Sequence, residues 1–176
     1  MKGGYMYKYL QSTSVGTHST RSKRPRLSRC VTLLLLYFCS PTAGRVYYVD
    51  NQNGLDENTG ILENAAWQTL SKVSRTTFQA GDTVKMKCGS SWTGQSLTIN
   101  GTGAETSPIL FTSYGDGAAP RLGGLTSAQG NGINVRGSRV ILEKIMVSDV
   151  VQSGCWVTGS HVTIRAIEIC GEKIAL

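Results

Sequence analysis

GINVRGSRVILEKIMV, Gly132 to Val147, is followed by GCWVTGSHVTIRAIEI, Gly154 to Ile169. The second stretch begins 22 residues after the first, and six of the sixteen aligned positions are identical. They are Gly132/Gly154, Val135/Val157, Gly137/Gly159, Ser138/Ser160, Val140/Val162 and Ile145/Ile167. Leu142/Ile164 and Val147/Ile169 exchange one aliphatic for another. A fixed period of this size marks a stacked repeat. Within each copy the apolar residues alternate: Ile133 and Val135, Val140 and Leu142, Ile145 and Val147, then Cys155 and Val157, Val162 and Ile164, Ile167 and Ile169. Period two is the mark of a strand with one buried face. Gly137-Ser138 and Gly159-Ser160 interrupt the alternation at a turn, where glycine can take a positive φ.

Three short strands joined by two corners make one coil of a β-helix. Successive coils stack as parallel strands about 4.8 Å apart, which places Val135 on Val157 and Val140 on Val162. The expected fold is all-β: the start of a right-handed, single-stranded parallel β-helix of about two to four coils. An ordinary β-sandwich of short strands is the alternative.

The formal net charge of +7 belongs to the leader. Lys2, Lys8, Arg21, Lys23, Arg24, Arg26 and Arg29 precede residue 45, where no Asp or Glu occurs. From Arg45 onward eleven basic and eleven acidic residues balance. A neutral folded part gives no phosphate-tracking surface, so nucleic acid is not an expected partner. The basic stretch, the apolar run Cys30 to Cys39, and Ser40-Pro41-Thr42-Ala43-Gly44 read together as a secretory signal over residues 1–44. About ten apolar residues are too few for a stable membrane span. The expected location is extracellular, with an uncleaved signal anchor as the alternative. Cys88, Cys155 and Cys170 remain after residue 44, an odd number. Without CxxC or His-rich spacing they suggest neither a disulfide framework nor a metal site.

The rest of the chain, residues 45–176, reads as the solenoid. Arg45 to Asp50 is a first strand. Asn51 to Gly60 is an oxygen-rich loop that invites a calcium reading, although EF-hand spacing fails from Asp50. Asn64 to Val73 is the helix candidate, with Asn64 as N-cap and Trp67, Leu70 and Val73 on one face. Such a helix can cover the open end of the first coil, with Trp67 as its core plug. Thr83 to Cys88, Leu97 to Ile99, Pro108 to Tyr114 and Arg121-Leu122 are further strands. Asn100-Gly101-Thr102 is an N-glycosylation sequon expected in an exposed turn.

The residues Tyr47-Tyr48-Val49-Asp50, Gly60, Trp67-Gln68-Thr69-Leu70, Ala80-Gly81-Asp82-Thr83-Val84, Gly89, Trp92, Gly94, Pro108-Ile109, Tyr114-Gly115 and Pro120 carry a family pattern. It resembles the N-terminal segment of secreted pectate-lyase-like proteins of the pectin-lyase fold. The resemblance covers roughly Val46 to Ile169. It implies polysaccharide as a partner and Ca²⁺ as an ion used in the family. The family usually has proline where Ala66 and Ala80 stand, a small loss of turn rigidity. Its catalytic residues usually lie on middle coils, so residues 45–176 are expected to be the N-terminal portion of a longer solenoid.

The outward positions offer little complete chemistry. A hydrolase would need facing carboxylates, and none stack on the sheet that carries Asn134 and Trp156. A lyase would need a base and a cation beside a uronic acid. By resemblance Arg136 is a candidate base and Trp156 a candidate platform for a sugar ring. Arg136 and Trp156 are therefore the candidate carbohydrate contacts, with no catalytic residue and no metal ligand assigned. Glu143 and Arg165 are expected to form a cross-rung ion pair. Two functions remain open: a non-catalytic extracellular β-helix that associates with polysaccharide, or the N-terminal part of a lyase or glycoside hydrolase acting on acidic polysaccharide. A fragment with no function of its own is a third possibility.

Overall fold

Alternating burial along the strands of the inner coils produces a solenoid. The computed structural model describes residues 43–126 and 130–170 of the 176. The expected signal segment, including Cys30 and Cys39, lies almost wholly outside them. Thirteen strands occur among the described residues: β1 (Val46–Val49), β2 (Thr77–Phe78), β3 (Thr83–Lys87), β4 (Ser91–Thr93), β5 (Leu97–Gly101), β6 (Ile109–Tyr114), β7 (Arg121–Gly123), β8 (Ile133–Val135), β9 (Val140–Glu143), β10 (Met146–Ser148), β11 (Cys155–Val157), β12 (Val162–Arg165) and β13 (Glu168–Cys170).

They form three parallel sheets. The first has the order β11-β8-β5-β2, the second β1-β3-β6-β9-β12, and the third β13-β10-β7-β4. The chain visits second, third and first sheet in turn. This gives three complete coils, β3–β5, β6–β8 and β9–β11, between a partial opening turn and two closing strands. Every neighbouring pair is parallel, the pattern of a β-helix and not of a sandwich.

Register follows the repeat. Val140 pairs with Val162, Leu142 with Ile164, Ile133 with Cys155, Val135 with Val157 and Val147 with Ile169, so each residue meets its own counterpart in the next copy. Earlier coils obey the same inward parity over longer and unequal stretches of chain. There Val46 pairs with Thr83, Thr83 with Leu110 and Ile109 with Val140. The inward columns Tyr47-Val84-Phe111-Leu142-Ile164 and Trp92-Leu122-Val147-Ile169 run through the stack.

Burial declines at the last rung. Val135, Leu142 and Val147 are 0% exposed, while Val157, Ile164 and Ile169, one rung on, are 41%, 42% and 59% exposed. Among the described residues no strand lies over β11, β12 or β13.

The corner glycines differ from expectation in an instructive way. Gly137 and Gly159 do not adopt positive φ; Arg139 and His161 do, at 53° and 55°. Lys144 and Ala166 repeat the device at the next corner, at 57° and 51°. The need for glycine is instead one of space. A Cβ on Gly137 would lie 2.7 Å from the Gly101 carbonyl oxygen, and one on Gly159 only 1.7 Å from the Gly137 oxygen. The corner backbones therefore approach more closely than any side chain permits. Ser138 and Ser160 add hydroxyl contacts at 3.2 Å along the same corner.

The opening turn replaces a third-sheet strand with a loop, a 3-10 turn (Glu63–Ala65) and a helix, α1 (Leu70–Arg75). The helix starts later than the sequence suggested. Its N-cap is Thr69, whose hydroxyl accepts from the Lys72 N–H at 3.1 Å, and not Asn64. The reason is Asp56. Its carboxylate accepts from the Gln68 and Thr69 N–H groups at 3.0 and 2.9 Å and from the Thr69 hydroxyl at 2.5 Å. Those contacts hold residues 68–69 extended, so the helix begins after them. Trp67 is buried ahead of α1, stacks on Tyr47 with centroids 5.0 Å apart, and donates its indole N–H to Asn58 O. Phe78 meets both Tyr47 and Phe111 edge-on. This aromatic chain fills the start of the core, the plug expected of Trp67. Leu70 and Val73 are buried, and α1 lies beside β5 with Ser74 Oγ accepting from the Thr98 N–H.

The oxygen-rich loop also turns its carboxylates on itself. Asp50 accepts from the Gln52 and Asn53 N–H groups and from Asn53 Nδ2. Burial opposes ionisation of Asp50 and Asp56, but these donors outweigh it and hold both carboxyls below the usual range. The donor set is that of an Asx turn, and these oxygens do not fit a calcium ion.

Two measurements check this account. Gly137→Ala should lower stability by about 1–3 kcal/mol in urea melts, against under about 0.5 kcal/mol for Thr158→Ala. Equal midpoints for Gly137→Ala and wild type would remove the close-approach explanation. Asp56→Ala should cost about 1–3 kcal/mol near neutral pH. A depressed folded pKa gives stabilisation that is full above the unfolded value near ~3.9 and is lost as pH falls through the folded value. Stability of the wild type should thus drop below about pH 4, and Asp56→Ala should flatten that drop. Parallel acid-stability curves would contradict the assignment.

Candidate functional site

Outward side chains on a parallel β-helix form straight rows, because each strand is in register with the next. On the first sheet the row is Thr98, Asn134 and Trp156. Trp156 is 55% exposed, a large apolar face presented to solvent. Asn134 is half-buried and its Oδ1 accepts from Asn131 Nδ2 at 3.0 Å, which fixes the amide next to the indole. Arg136 lies past the end of β8, exposed, with its backbone N–H held by Ile99 O. Trp156 and Arg136 therefore occupy the same outward side of adjacent coils. This row contains no carboxylate, and among the described residues no three of His, Cys, Asp and Glu converge as a metal site. The donors of this row, an amide and a hydroxyl, do not suit Ca²⁺, which takes six to eight oxygens.

The second sheet carries a longer polar row: Tyr48, Lys85, Thr112, Glu143 and Arg165. Its far end is the expected cross-rung pair. Arg165 Nε donates to Glu143 Oε2 at 2.6 Å, and the Thr112 hydroxyl donates to Glu143 Oε1 at 3.1 Å. The Arg165 hydrogen bond is the main cause that holds the Glu143 carboxyl below its ordinary value, with desolvation opposing and Thr112 assisting. Arg165 is mostly exposed, so the pair contributes under about 1 kcal/mol. At the near end Lys85 and Lys87 lie over the rings of Tyr48 and Tyr114, 5.5 and 4.9 Å from the centroids. The two rings meet edge-on at 5.1 Å. Burial, with the charges of Asp50 and Glu63, pushes the Tyr114 hydroxyl up to about 12. That cluster is not legible in the sequence, since Tyr48 and Tyr114 are remote in the chain and meet only across β3.

Asn100 departs from its predicted setting. It lies in β5, half-buried, and not in an exposed turn. Its Nδ2, the nitrogen a glycan would occupy, donates to Ser74 O at 2.8 Å and ties β5 to the helix. Packing of α1 against β5 is a tertiary event that a three-residue sequon does not report. Cys155 points inward, and burial pushes its thiol up. The thiol is a packing group in register with Ile133.

No family model matches the chain. Over 78 residues, 43% of its length, it is 38% identical to a lacto-N-biosidase of Bifidobacterium longum subsp. longum, and it spans 5% of that protein. Two crystal structures of the GH136 lacto-N-biosidase from Eubacterium ramulus superpose with TM-scores of 0.58 and 0.59 at 19% and 18% identity. The matches cover 80% and 82% of this chain but 30% and 32% of those. A rhamnogalacturonan lyase superposes with a TM-score of 0.50 at 24% identity, over 60% of this chain and 29% of the lyase. At these identities the structural likenesses establish the fold, a parallel β-helix.

Proposed function

We propose that this chain is the N-terminal part of an extracellular carbohydrate-binding β-helix, with the outward face of the first sheet around Trp156 as its polysaccharide contact. The observation that carries the reading is Trp156 itself. A tryptophan 55% exposed, flanked in register by Asn134 and followed at the end of β8 by exposed Arg136, has the composition of a sugar platform. A pyranose presents an apolar face to stack and hydroxyls at its rim. Asn134 and Arg136 supply polar groups for those hydroxyls. The fold shared with lacto-N-biosidases and a rhamnogalacturonan lyase supports the reading.

A second reading has its own support. The 38% identity to a lacto-N-biosidase favours a place within a larger glycoside hydrolase or lyase, whose catalytic groups stand on other coils. In that case the described coils bind and orient the glycan, and the chemistry is supplied elsewhere. No described outward row of the first sheet provides the paired carboxylates a hydrolase needs.

Affinity electrophoresis of the full chain through gels containing plant or host polysaccharides tests the platform. Trp156→Ala should abolish the retardation or weaken it several-fold, while its melting curve stays within about 0.5 kcal/mol of wild type. Retardation that is unchanged in Trp156→Ala would exclude this face as the contact.

A further inference from the structure

The corner between the first and second sheets holds a groove of about 210 Å³. It is lined by Glu105, Pro108, Arg139, Ile141, His161 and Thr163. Three successive rungs contribute. Glu105 comes from the turn before β6, Arg139 from the turn before β9, and His161 from the turn before β12. Arg139 and His161 are equivalent positions of the two repeats and share the left-handed corner, at φ 53° and 55°. Their backbones are held in the ladder: Arg139 N–H donates to Ser160 O at 2.9 Å, and Arg139 O accepts from Ile109 N–H at 3.0 Å. The corner thus presents both side chains from a fixed frame.

Among the described residues, none of the Glu105, Arg139 or His161 side chains makes a hydrogen bond or an ion pair. The only ion pairs there are Arg121–Asp149 and Arg165–Glu143. The three groups instead converge on one open groove with their donors and acceptors unused. The floor beneath them, Pro108 and Ile141, is apolar and half-buried.

We infer that this corner groove binds one sugar unit that bears an anionic group, a carboxylate or a sulfate ester. The guanidinium of Arg139 and the imidazole of His161 stand on adjacent rungs about 4.8 Å apart, and together they donate to an anion between them. Ile141 and Pro108 lie under the ring. Glu105, on the rung below Arg139, accepts from the ring hydroxyls and repels a second anion. The order of charges along the solenoid axis, negative then two donors, fixes the direction in which the sugar lies. The repeat itself sets Arg139 beside His161 at this corner, and stacking of a third rung adds Glu105; Trp156 and Arg136 belong to the outward side of the first sheet.

The inference rests on the carbohydrate-binding reading, and one titration separates their failures. The full chain is titrated calorimetrically with a uronic-acid oligosaccharide, with the same oligosaccharide methyl-esterified at its carboxylates, and with a sulfated oligosaccharide. The acid or the sulfate ester should bind about tenfold or more tightly than the neutral ester, and the stronger of the two identifies the anion. Arg139→Gln and His161→Gln should each remove most of that preference while leaving the melting curve unchanged. Arg75→Gln, an exposed arginine on the helix, should change nothing. Glycan binding without anion preference, or a preference that survives Arg139→Gln with His161→Gln, overturns the groove assignment alone. Absence of binding to all three glycans overturns both.

Discussion

The stack depends on one constraint: each residue must sit over its counterpart in the previous coil. Parallel backbone pairing fixes the vertical spacing at about 4.8 Å, and the side chains then have only two directions, in or out. A slip of one residue would turn Val140, Leu142, Val162 and Ile164 to solvent. The register of the last two coils matches the sequence repeat without deviation. Gly137 and Gly159 let the corners close to backbone contact, and a larger residue there would hold the rungs apart. From this one condition follow the buried columns, the straight outward rows, and the stacked corners at Arg139 and His161.

The same condition explains why part of the fold was legible and part was not. Between β8 and β13 the corresponding corners of the two copies have equal lengths, so coil structure shows directly as sequence identity. In the earlier coils the chain between paired strands is longer and differs from one coil to the next. Insertions at the corners destroy the period while leaving inward parity intact, so each strand could be recognised singly but not its rung. The helix begins later than local sequence implies because Asp56, well upstream of Thr69 in the chain, captures the amides that would otherwise open the helix. Nothing local to Asn64 reports that capture. At the corners conformational freedom is glycine's commoner role, but here its missing side chain matters more.

The candidate sites divide in the same manner. Trp156 and Arg136 could be placed on one outward side from parity alone. The ion pair of Glu143 with Arg165 followed from the offset between the two copies. The corner groove did not, because Glu105 belongs to a coil outside the regular repeat and joins Arg139 and His161 only when three rungs stack. Asn100 shows the opposite case: a clear local motif that the fold sets in a strand, with its side-chain nitrogen donating to Ser74 O. In a solenoid, function is written across rungs, and the sequence shows it only where the period is regular.

The central claim is the in-register parallel stacking of the two repeated coils. It is tested by introducing cysteine pairs across the rungs in a background lacking Cys88, Cys155 and Cys170. Ile141 and Thr163 are paired partners on outward-facing positions of β9 and β12. Ile141→Cys with Thr163→Cys should oxidise readily to a disulfide, because paired parallel positions meet the separation that the bond requires, roughly 4.4–6.8 Å between Cα atoms. Ile141→Cys with Arg165→Cys, two residues out of register, should remain reduced under the same conditions. Oxidation of the second pair in preference to the first, or of neither, would contradict the stacked-coil account.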